Sequence, residues 1–153
     1  MEKFIDIHSH IAWDIDDGMP SMEDAKCSLH DSYRDGIVGI CSTPHIIPGQ
    51  YDASIHNEIV SRQMELKEMS SIPIYFGGEV MMNGEFIDGL GMEIYPTLNG
   101  SRYMLVEYNV LHDIHSIDYR DDCLYELKVC GFIPVIAHIE RYFHSEMDYS
   151  IIE

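Results

Sequence analysis

The sequence predicts an α/β fold built on parallel strands. Short apolar segments alternate with longer amphipathic ones along the chain, a pattern typical of strand–helix units. A His or a carboxylate stands near the end of every apolar segment. Ligands and catalytic groups collect at the carboxyl ends of the strands in such folds, so the second observation also indicates a functional site.

The predicted elements follow one another in a regular order. Apolar runs bounded by turn residues are read as strands, and apolar side chains three and four residues apart as helices. The expected strands are 4–7, 37–42, 72–80, 103–108 and 132–138. The expected helices are 21–35, 55–67 and 119–130, with a helical turn at 85–90 and a helix start at 147–153.

Capping and breaking residues support these boundaries. Ser21 precedes the first helical pattern as an N-cap, and Gly36 follows it as a C-cap signal. Pro44 ends the second strand, and Gly131 ends the last full helix. The polar connection 109–122 is expected to lie over a site or over the surface.

Composition restricts the classes of partner. The chain has 153 residues, 46% of them hydrophobic, which suits one folded domain. Its formal charge of −18 repels nucleic acid and anionic membrane surfaces. No signal peptide and no apolar run of roughly eighteen residues is recognisable, so neither nucleic-acid binding nor membrane insertion is expected. We expect a cytoplasmic protein.

The four cysteines are expected to be reduced packing residues. They form no Cys-x-x-Cys pair, which argues against a redox motif or a structural zinc site. Cys123 and Cys130 lie seven residues apart on one face of a predicted helix, where a core role is the favoured interpretation. Cys27 and Arg34 are separated by six residues inside a predicted helix, so a cysteine nucleophile with a phosphate-cradling loop is disfavoured.

Metal-binding residue types meet at one end of the predicted sheet. The pleat places Asp6, His8 and His10 on one face of the first strand. The candidate ligands near the strand ends are His8, His10, Asp16, His45, Glu79, Glu107 and His138, with Asp17 beside Asp16. A single histidine at a strand end is more often an ordinary polar residue than a ligand. The convergence of the whole set favours a metal centre.

Glu79 is the least ordinary member of this set. It lies in the apolar, glycine-lined segment FGGEV, where a carboxylate needs a charged partner, and the chain has only nine Lys and Arg residues. A bridging metal ion would satisfy it. Imidazole and carboxylate ligands suit Zn²⁺, Mn²⁺ or Fe²⁺ rather than Ca²⁺. The donors exceed the needs of one ion, so two or three ions sharing carboxylates are expected.

Five motifs in order resemble the PHP (polymerase and histidinol phosphatase) superfamily. They are DIHSH…DIDDG, STPH, GGEV, YMLVEY and PVIAHIERY, between residues 4 and about 143. Within the superfamily the chain most resembles the bacterial manganese-dependent protein-tyrosine phosphatases of capsule and exopolysaccharide loci. The resemblance implies a distorted (β/α)₇ TIM-like barrel that holds up to three Mn²⁺ ions, with Fe²⁺ or Zn²⁺ as alternatives.

The resemblance also implies a role for each motif residue. His8 and His10 would bind the first ion, and Glu79 would bridge it to the second. Glu107 and His138 would complete the second site, while Asp16 and His45 would belong to the third. Arg141 and His45 are the expected catalytic residues; Arg141 would hold the phosphate, although a surface ion pair is an equal alternative from its position alone. A metal-bound hydroxide would attack phosphorus directly.

Two departures from the family pattern stand out. Ile139 replaces the proline of the usual His-Pro-Glu-Arg-Tyr, and no Asp-x-His pair follows His138. Barrels of this type need roughly 250 residues. We therefore expect a single PHP-type domain over 1–153 that lacks its C-terminal portion, with about five β/α units. An open sheet edge would follow, and a homodimer could cover it.

Three functions remain open from the sequence. The first is a phosphotyrosine phosphatase whose substrate is a bacterial tyrosine kinase of polysaccharide export. The second is another phosphoesterase of the same superfamily, acting on histidinol phosphate or a nucleotide. The third is a catalytically impaired remnant that binds a metal or a partner protein.

Overall fold

Strands and helices alternate along the chain, and all of the strand pairings are parallel. The structure, a computed structural model, describes residues 3–92 and 94–151. The strands are β1 (Phe4–Ser9), β2 (Ile37–Ser42), β3 (His45–Ile46), β4 (Ile74–Phe76), β5 (Glu79–Met81), β6 (Tyr103–Glu107) and β7 (Ile133–Ile136). The α-helices are α1 (Met22–Arg34), α2 (Ala53–Met69), α3 (Phe86–Gly91) and α4 (Arg120–Val129). The predicted α/β class with parallel strands is confirmed.

The strands form two sheets that continue into each other. One sheet has the order β1-β2-β4 and the other the order β3-β5-β6-β7. Gly77 N donates to Ser42 O at 3.0 Å and Glu79 N donates to Pro44 O at 2.9 Å, which joins the two ladders. Beyond this arc, β1 and β7 are not paired with each other in the described ranges.

The predicted strand 72–80 is divided at Gly77-Gly78 into β4 and β5. A Cβ at Gly78 would lie 2.6 Å from Ile46 Cγ1 and 2.7 Å from Pro96 Cγ, so only glycine allows this close approach. The break starts a new strand at Glu79. In that register Glu79 lies opposite His45 on β3, and Met81 lies opposite Glu107 on β6.

The predicted helix boundaries agree closely with the structure. The Ser21 hydroxyl accepts a hydrogen bond from Asp24 N at 3.2 Å, and Gly36 has a left-handed φ of 94°. Helix α2 begins two residues before the predicted start because Asp52 caps it, accepting from Ser54 N at 2.8 Å. In place of the predicted helix start at 147–153, Tyr149–Ile151 form one 3₁₀ turn; Ile152 and Glu153 lie outside the described residues.

Two apolar clusters pack against the sheet. One is centred on Val80, Val106 and Phe86, and the other on Ile40 and Leu66. All four cysteines are free thiols; Cys41 and Cys123 are buried, as a packing role requires. Cys27 and Cys130 are exposed, so the packing role predicted for those two is wrong. Cys130 follows the last residue of α4, where the helical face no longer continues.

No helix in the part of the chain that the structure describes is long and apolar enough to cross a membrane.

Candidate metal centre

A pocket of about 540 Å³ opens at the carboxyl end of the sheet. The strands deliver their polar residues there because parallel strands end at the same edge. Six of the seven predicted ligands line the pocket, and so do Asp17 and Arg141. The six are His8, His10, His45, Glu79, Glu107 and His138. Asp16, the seventh, lies behind His10.

Glu79 is fully buried at the centre of the pocket and faces four imidazoles. Its Oε2 lies 3.0 Å from His10 Nε2 and 3.1 Å from His8 Nε2. The same oxygen is 3.4 Å from His45 Nδ1, and Oε1 is 2.9 Å from His138 Nε2. Burial raises the pKa of this carboxyl, but the hydrogen bonds from His10 and His8 outweigh it and hold the pKa far below its usual value.

Glu107 is the second buried carboxylate of the pocket. Its Oε1 lies 2.8 Å from His45 Nδ1, and its Oε2 lies 3.6 Å from His138 Nε2. Both atoms of the 2.8 Å contact are buried, yet they are not aligned for a hydrogen bond. The contact with Glu107, which outweighs burial, raises the pKa of His45. Two buried donor atoms without a directed partner are well suited to share a cation.

Asp16 holds His10 in place. Its Oδ2 lies 2.8 Å from His10 Nδ1 and accepts from His45 N at 2.9 Å, while its Oδ1 accepts from Gly18 N at 3.0 Å. Burial lowers the pKa of His10, but the contacts with Asp16 and Glu79 outweigh it and raise the pKa to about 10. A carboxylate behind a ligating imidazole fixes its orientation and raises its basicity.

Asp17, rather than Asp16, forms a donor group with His10 and His45. Its Oδ1 lies 3.3 Å from His45 Nε2 and 3.9 Å from His10 Nδ1, and its side chain is 81% exposed toward the pocket mouth. The two adjacent aspartates of DIDDG are indistinguishable by residue type. The turn that brings Met19 N onto His10 O decides which of them faces the pocket.

Three groups of donor atoms are close enough to hold an ion. They are His8–Glu79–His138, His10–Asp17–His45 and His45–Glu79–Glu107, each with its donor atoms within 4.8 Å of one another. This differs from the grouping implied by the resemblance, because His8 groups with His138 rather than with His10. Imidazole and carboxylate donors without thiolates are typical of Mn²⁺, Fe²⁺ or catalytic Zn²⁺ sites. The donor set therefore fits divalent transition-metal ions.

Arg141 stands at the rim of this acidic pocket. It lies on the 3₁₀ turn Ile139–Tyr142, directly after His138, which has a left-handed φ of 32°. Its guanidinium is exposed, and within the described ranges it forms no salt bridge. The alternative of a surface ion pair is therefore not observed among those residues. A free guanidinium beside a metal centre is positioned to bind an anionic group.

The family described as capsular polysaccharide synthesis, CpsB/CapC, matches residues 4–153. The chain belongs to the CpsB/CapC family. The family resemblance read from the five motifs is thus confirmed.

Known relatives of the CpsB/CapC family agree with this assignment. The chain is 36% identical over 143 residues to the tyrosine-protein phosphatase CpsB of Streptococcus pneumoniae, covering 90% of this chain and 57% of that protein. It is 32% identical over 141 residues to the tyrosine-protein phosphatase YwqE of Bacillus subtilis, covering 90% and 54%. The chain thus spans little more than half the length of these CpsB/CapC relatives.

A solved structure supports the same conclusion at the level of the fold. It belongs to the crystal structures of YwqE from Bacillus subtilis and CpsB from Streptococcus pneumoniae, which are unique metal-dependent tyrosine phosphatases. The TM-score is 0.73 at 33% identity, over 90% of this chain and 56% of the solved one.

Proposed function

We propose that this chain acts as a metal-dependent phosphatase on phosphotyrosine. The observation that carries the proposal is the convergence of four imidazoles on the fully buried Glu79, in a pocket whose only lining Lys or Arg, among the described residues, is Arg141 at the rim. Buried carboxylates need cations, and here divalent ions are the cations that the donor set suits.

The three donor groups would hold up to three ions, with Mn²⁺ proposed and Fe²⁺ or Zn²⁺ as alternatives. Glu79 and His45 each belong to two groups. The Glu79 carboxylate has two oxygens and could serve both of its groups, whereas the neutral His45 imidazole has one free nitrogen and would serve one ion. We propose Asp17 as the ligand beside His10 and His45, in place of Asp16, because both Asp16 oxygens already accept hydrogen bonds. Asp16 would then orient His10.

The residues of the pocket would have different roles in phosphate hydrolysis. Bound divalent ions would lower the pKa of a water molecule and neutralise charge on the phosphoryl oxygens. The Arg141 guanidinium would hold two phosphoryl oxygens through its planar pair of N–H groups. His45 faces the mouth of the pocket with Nε2, 3.3 Å from Asp17, where it can hold an ion or a proton. The buried Glu79 and Glu107 keep the imidazoles directed inward.

The wall of the pocket favours an aromatic leaving group. Ile47, Met81 and Val110 line the pocket with apolar surface alongside the polar cluster. Such a surface can contact the ring of a phosphotyrosine, whereas histidinol phosphate or a nucleotide offers a more polar partner. We propose a phosphotyrosine protein as substrate, specifically a bacterial tyrosine kinase of polysaccharide export, and a cytoplasmic site of action.

We further propose that the arc of strands is part of a distorted (β/α)₇ barrel of the PHP type, forming one domain. The strands β1 and β7 each pair on one side only within the described residues. Ile5 and Ile7 on β1 are 57% and 48% exposed, which is apolar surface that a homodimer could cover. Sedimentation velocity would show a dimer if this is correct and a monomer at all concentrations if it is wrong.

Hydrolysis of p-nitrophenyl phosphate by the purified chain tests the proposed activity. We expect turnover with Mn²⁺, loss of turnover with a chelator, and loss with His10→Ala or Glu79→Gln. His30→Ala, an exposed histidine on α1, serves as the matched control. Metal binding without turnover would overturn the proposal in favour of a metal-binding remnant. A panel with phosphotyrosine peptides, histidinol phosphate and nucleotides separates the phosphatase specificities.

A further inference from the structure

The segment that follows Arg141 is joined to a second segment of the chain. A 3₁₀ turn is short, and a long side chain on such a turn binds an anion well only if its backbone is fixed. The segment 142–148, directly after Arg141, is fastened to the segment 108–116, which follows β6. We call these two joined segments the strap.

Four contacts join the strap. Tyr108 N donates to the Tyr142 hydroxyl at 3.0 Å, and both side chains are fully buried. His144 N donates to Asp113 Oδ2 at 3.0 Å, and His144 Nε2 lies 3.0 Å from Val110 O. His115 Nε2 lies 3.4 Å from Asp148 Oδ2. The strap is therefore one buried contact followed by a row of exposed ones.

Charge strengthens the exposed end of the strap. His115 Nδ1 lies 2.7 Å from Asp113 Oδ1, so its imidazole stands between two carboxylates from the two segments. The hydrogen bond to Asp113, with that to Asp148, raises the pKa of His115 above its usual value. Asp113 also accepts from His144 N, which links this ion pair to the rest of the strap.

The strap forms one wall of the pocket. Asn109 and Val110 from its first segment line the pocket, and so does Arg141, which immediately precedes its second segment. Loosening the strap would move Arg141 and Val110 together, whereas the candidate ligands on β1, β3, β5 and β6 are held by the pairings of those strands. The strap contributes no donor atom to the three groups, although the ring of its Tyr142 packs 5.5 Å from the ring of His138.

We propose that His144 is a positioning residue for Arg141, acting through the strap to set the phosphate-binding wall. This inference rests on the proposed function in one respect, the role of Arg141 in binding the phosphoryl group. His144 does not line the pocket, so it would influence phosphate binding only through the position of the wall.

Orthophosphate binding to the Mn²⁺-loaded chain tests this proposal without requiring turnover. Isothermal titration calorimetry on the unaltered chain, His144→Ala, Arg141→Ala and the double variant forms a double-mutant cycle. We expect His144→Ala to weaken phosphate binding about threefold to tenfold. The reason is that a smaller fraction of the molecules would have Arg141 in the position that binds phosphate. In the Arg141→Ala background the same change should have almost no effect.

Two further variants separate positioning from general damage. His144→Gln keeps an N–H donor of similar reach toward Val110 O and should restore most of the affinity. His30→Ala, an exposed histidine on α1, should leave phosphate binding unchanged. The Mn²⁺ content of His144→Ala should equal that of the unaltered chain.

Three outcomes would overturn the proposal: no phosphate binding by the unaltered chain, no weakening in His144→Ala, or equal weakening with and without Arg141. Failure of the proposed function gives a different result. In that case p-nitrophenyl phosphate is not hydrolysed, while the coupling between His144 and Arg141 in phosphate binding remains.

Discussion

Replacing Glu79 by Gln tests the metal centre at its middle. The substitution keeps the size of the side chain and removes the buried charge. In either orientation of the amide, an NH₂ group replaces one of the two oxygens that now lie 2.9 to 3.4 Å from four imidazoles. Glu79 belongs to two of the three donor groups, so the group with His8 and His138 loses its only carboxylate and the group with His45 keeps only Glu107.

The expected magnitude follows from the burial of Glu79, which is 0% exposed. Removing one partner of a buried charge pair costs about 3–5 kcal/mol. At about 1.4 kcal/mol per tenfold change, Mn²⁺ binding should weaken roughly 100-fold or more. Electron paramagnetic resonance of free Mn²⁺ at pH 7.5 measures this affinity directly. Glu68→Gln, an exposed glutamate on α2, is the matched control and should bind Mn²⁺ like the unaltered chain.

The reasoning would be refuted if Glu79→Gln kept its secondary structure and bound Mn²⁺ within about threefold of the unaltered chain, which is far below the expected loss. That result would mean that the imidazoles around Glu79 attract the carboxylate only as ordinary hydrogen-bond partners. A metal-binding pocket would then have to be sought elsewhere in the chain.

Four other predictions concern the loop that carries His10. The pKa of His10 is raised to about 10, so Mn²⁺ must displace a proton from His10 in order to bind. In a competition titration the affinity for Mn²⁺ should therefore keep rising from about pH 6.5 toward pH 10, rather than levelling near pH 7. The contribution of His10 to the stability of the metal-free chain has the opposite dependence, being fully present below pH 6.5 and lost as the pH rises through about 10. Gly18→Ala would place a Cβ 2.1 Å from His10 O and should lower the melting temperature by roughly 2–12 °C, whereas Gly84→Ala, with open space around it, should not. Elemental analysis should find one bound ion fewer per chain in Asp17→Asn. Asp16→Asn should bind as many ions as the unaltered chain, with an affinity for Mn²⁺ weakened by about 10- to 100-fold.

The predictions for Mn²⁺ affinity, for the glycine variants and for the aspartate variants each have a result that contradicts them. A flat Mn²⁺ affinity above pH 7 would show that His10 is not protonated in the metal-free chain. Equal melting temperatures for the two glycine variants would show that the loop relaxes around a methyl group. Loss of an ion from Asp16→Asn but not from Asp17→Asn would restore the ligand assignment made from the motif alone.

Local patterns were sufficient to predict the four α-helices, most of the strands and the residue types of the site. Ser21, Gly36 and Gly131 define helix ends through their own backbone chemistry, so a short window of sequence contains the information. The convergence of His and carboxylate residues at the strand ends could be predicted as well, because all parallel strands of a sheet present the same ends to one edge.

The sequence by itself therefore determined the α/β class, the bounds of the four α-helices to within two residues, and which residue types gather at the pocket. Only the tertiary structure decided the break at Gly77-Gly78, the position of Asp17 rather than Asp16 in the donor group with His10 and His45, and the contact of His144 with Val110. The physical reason is distance along the chain: these features depend on contacts such as Gly78 with Ile46, or His144 with Val110. Side chains of equal chemistry compete for such positions, and packing between distant segments selects among them.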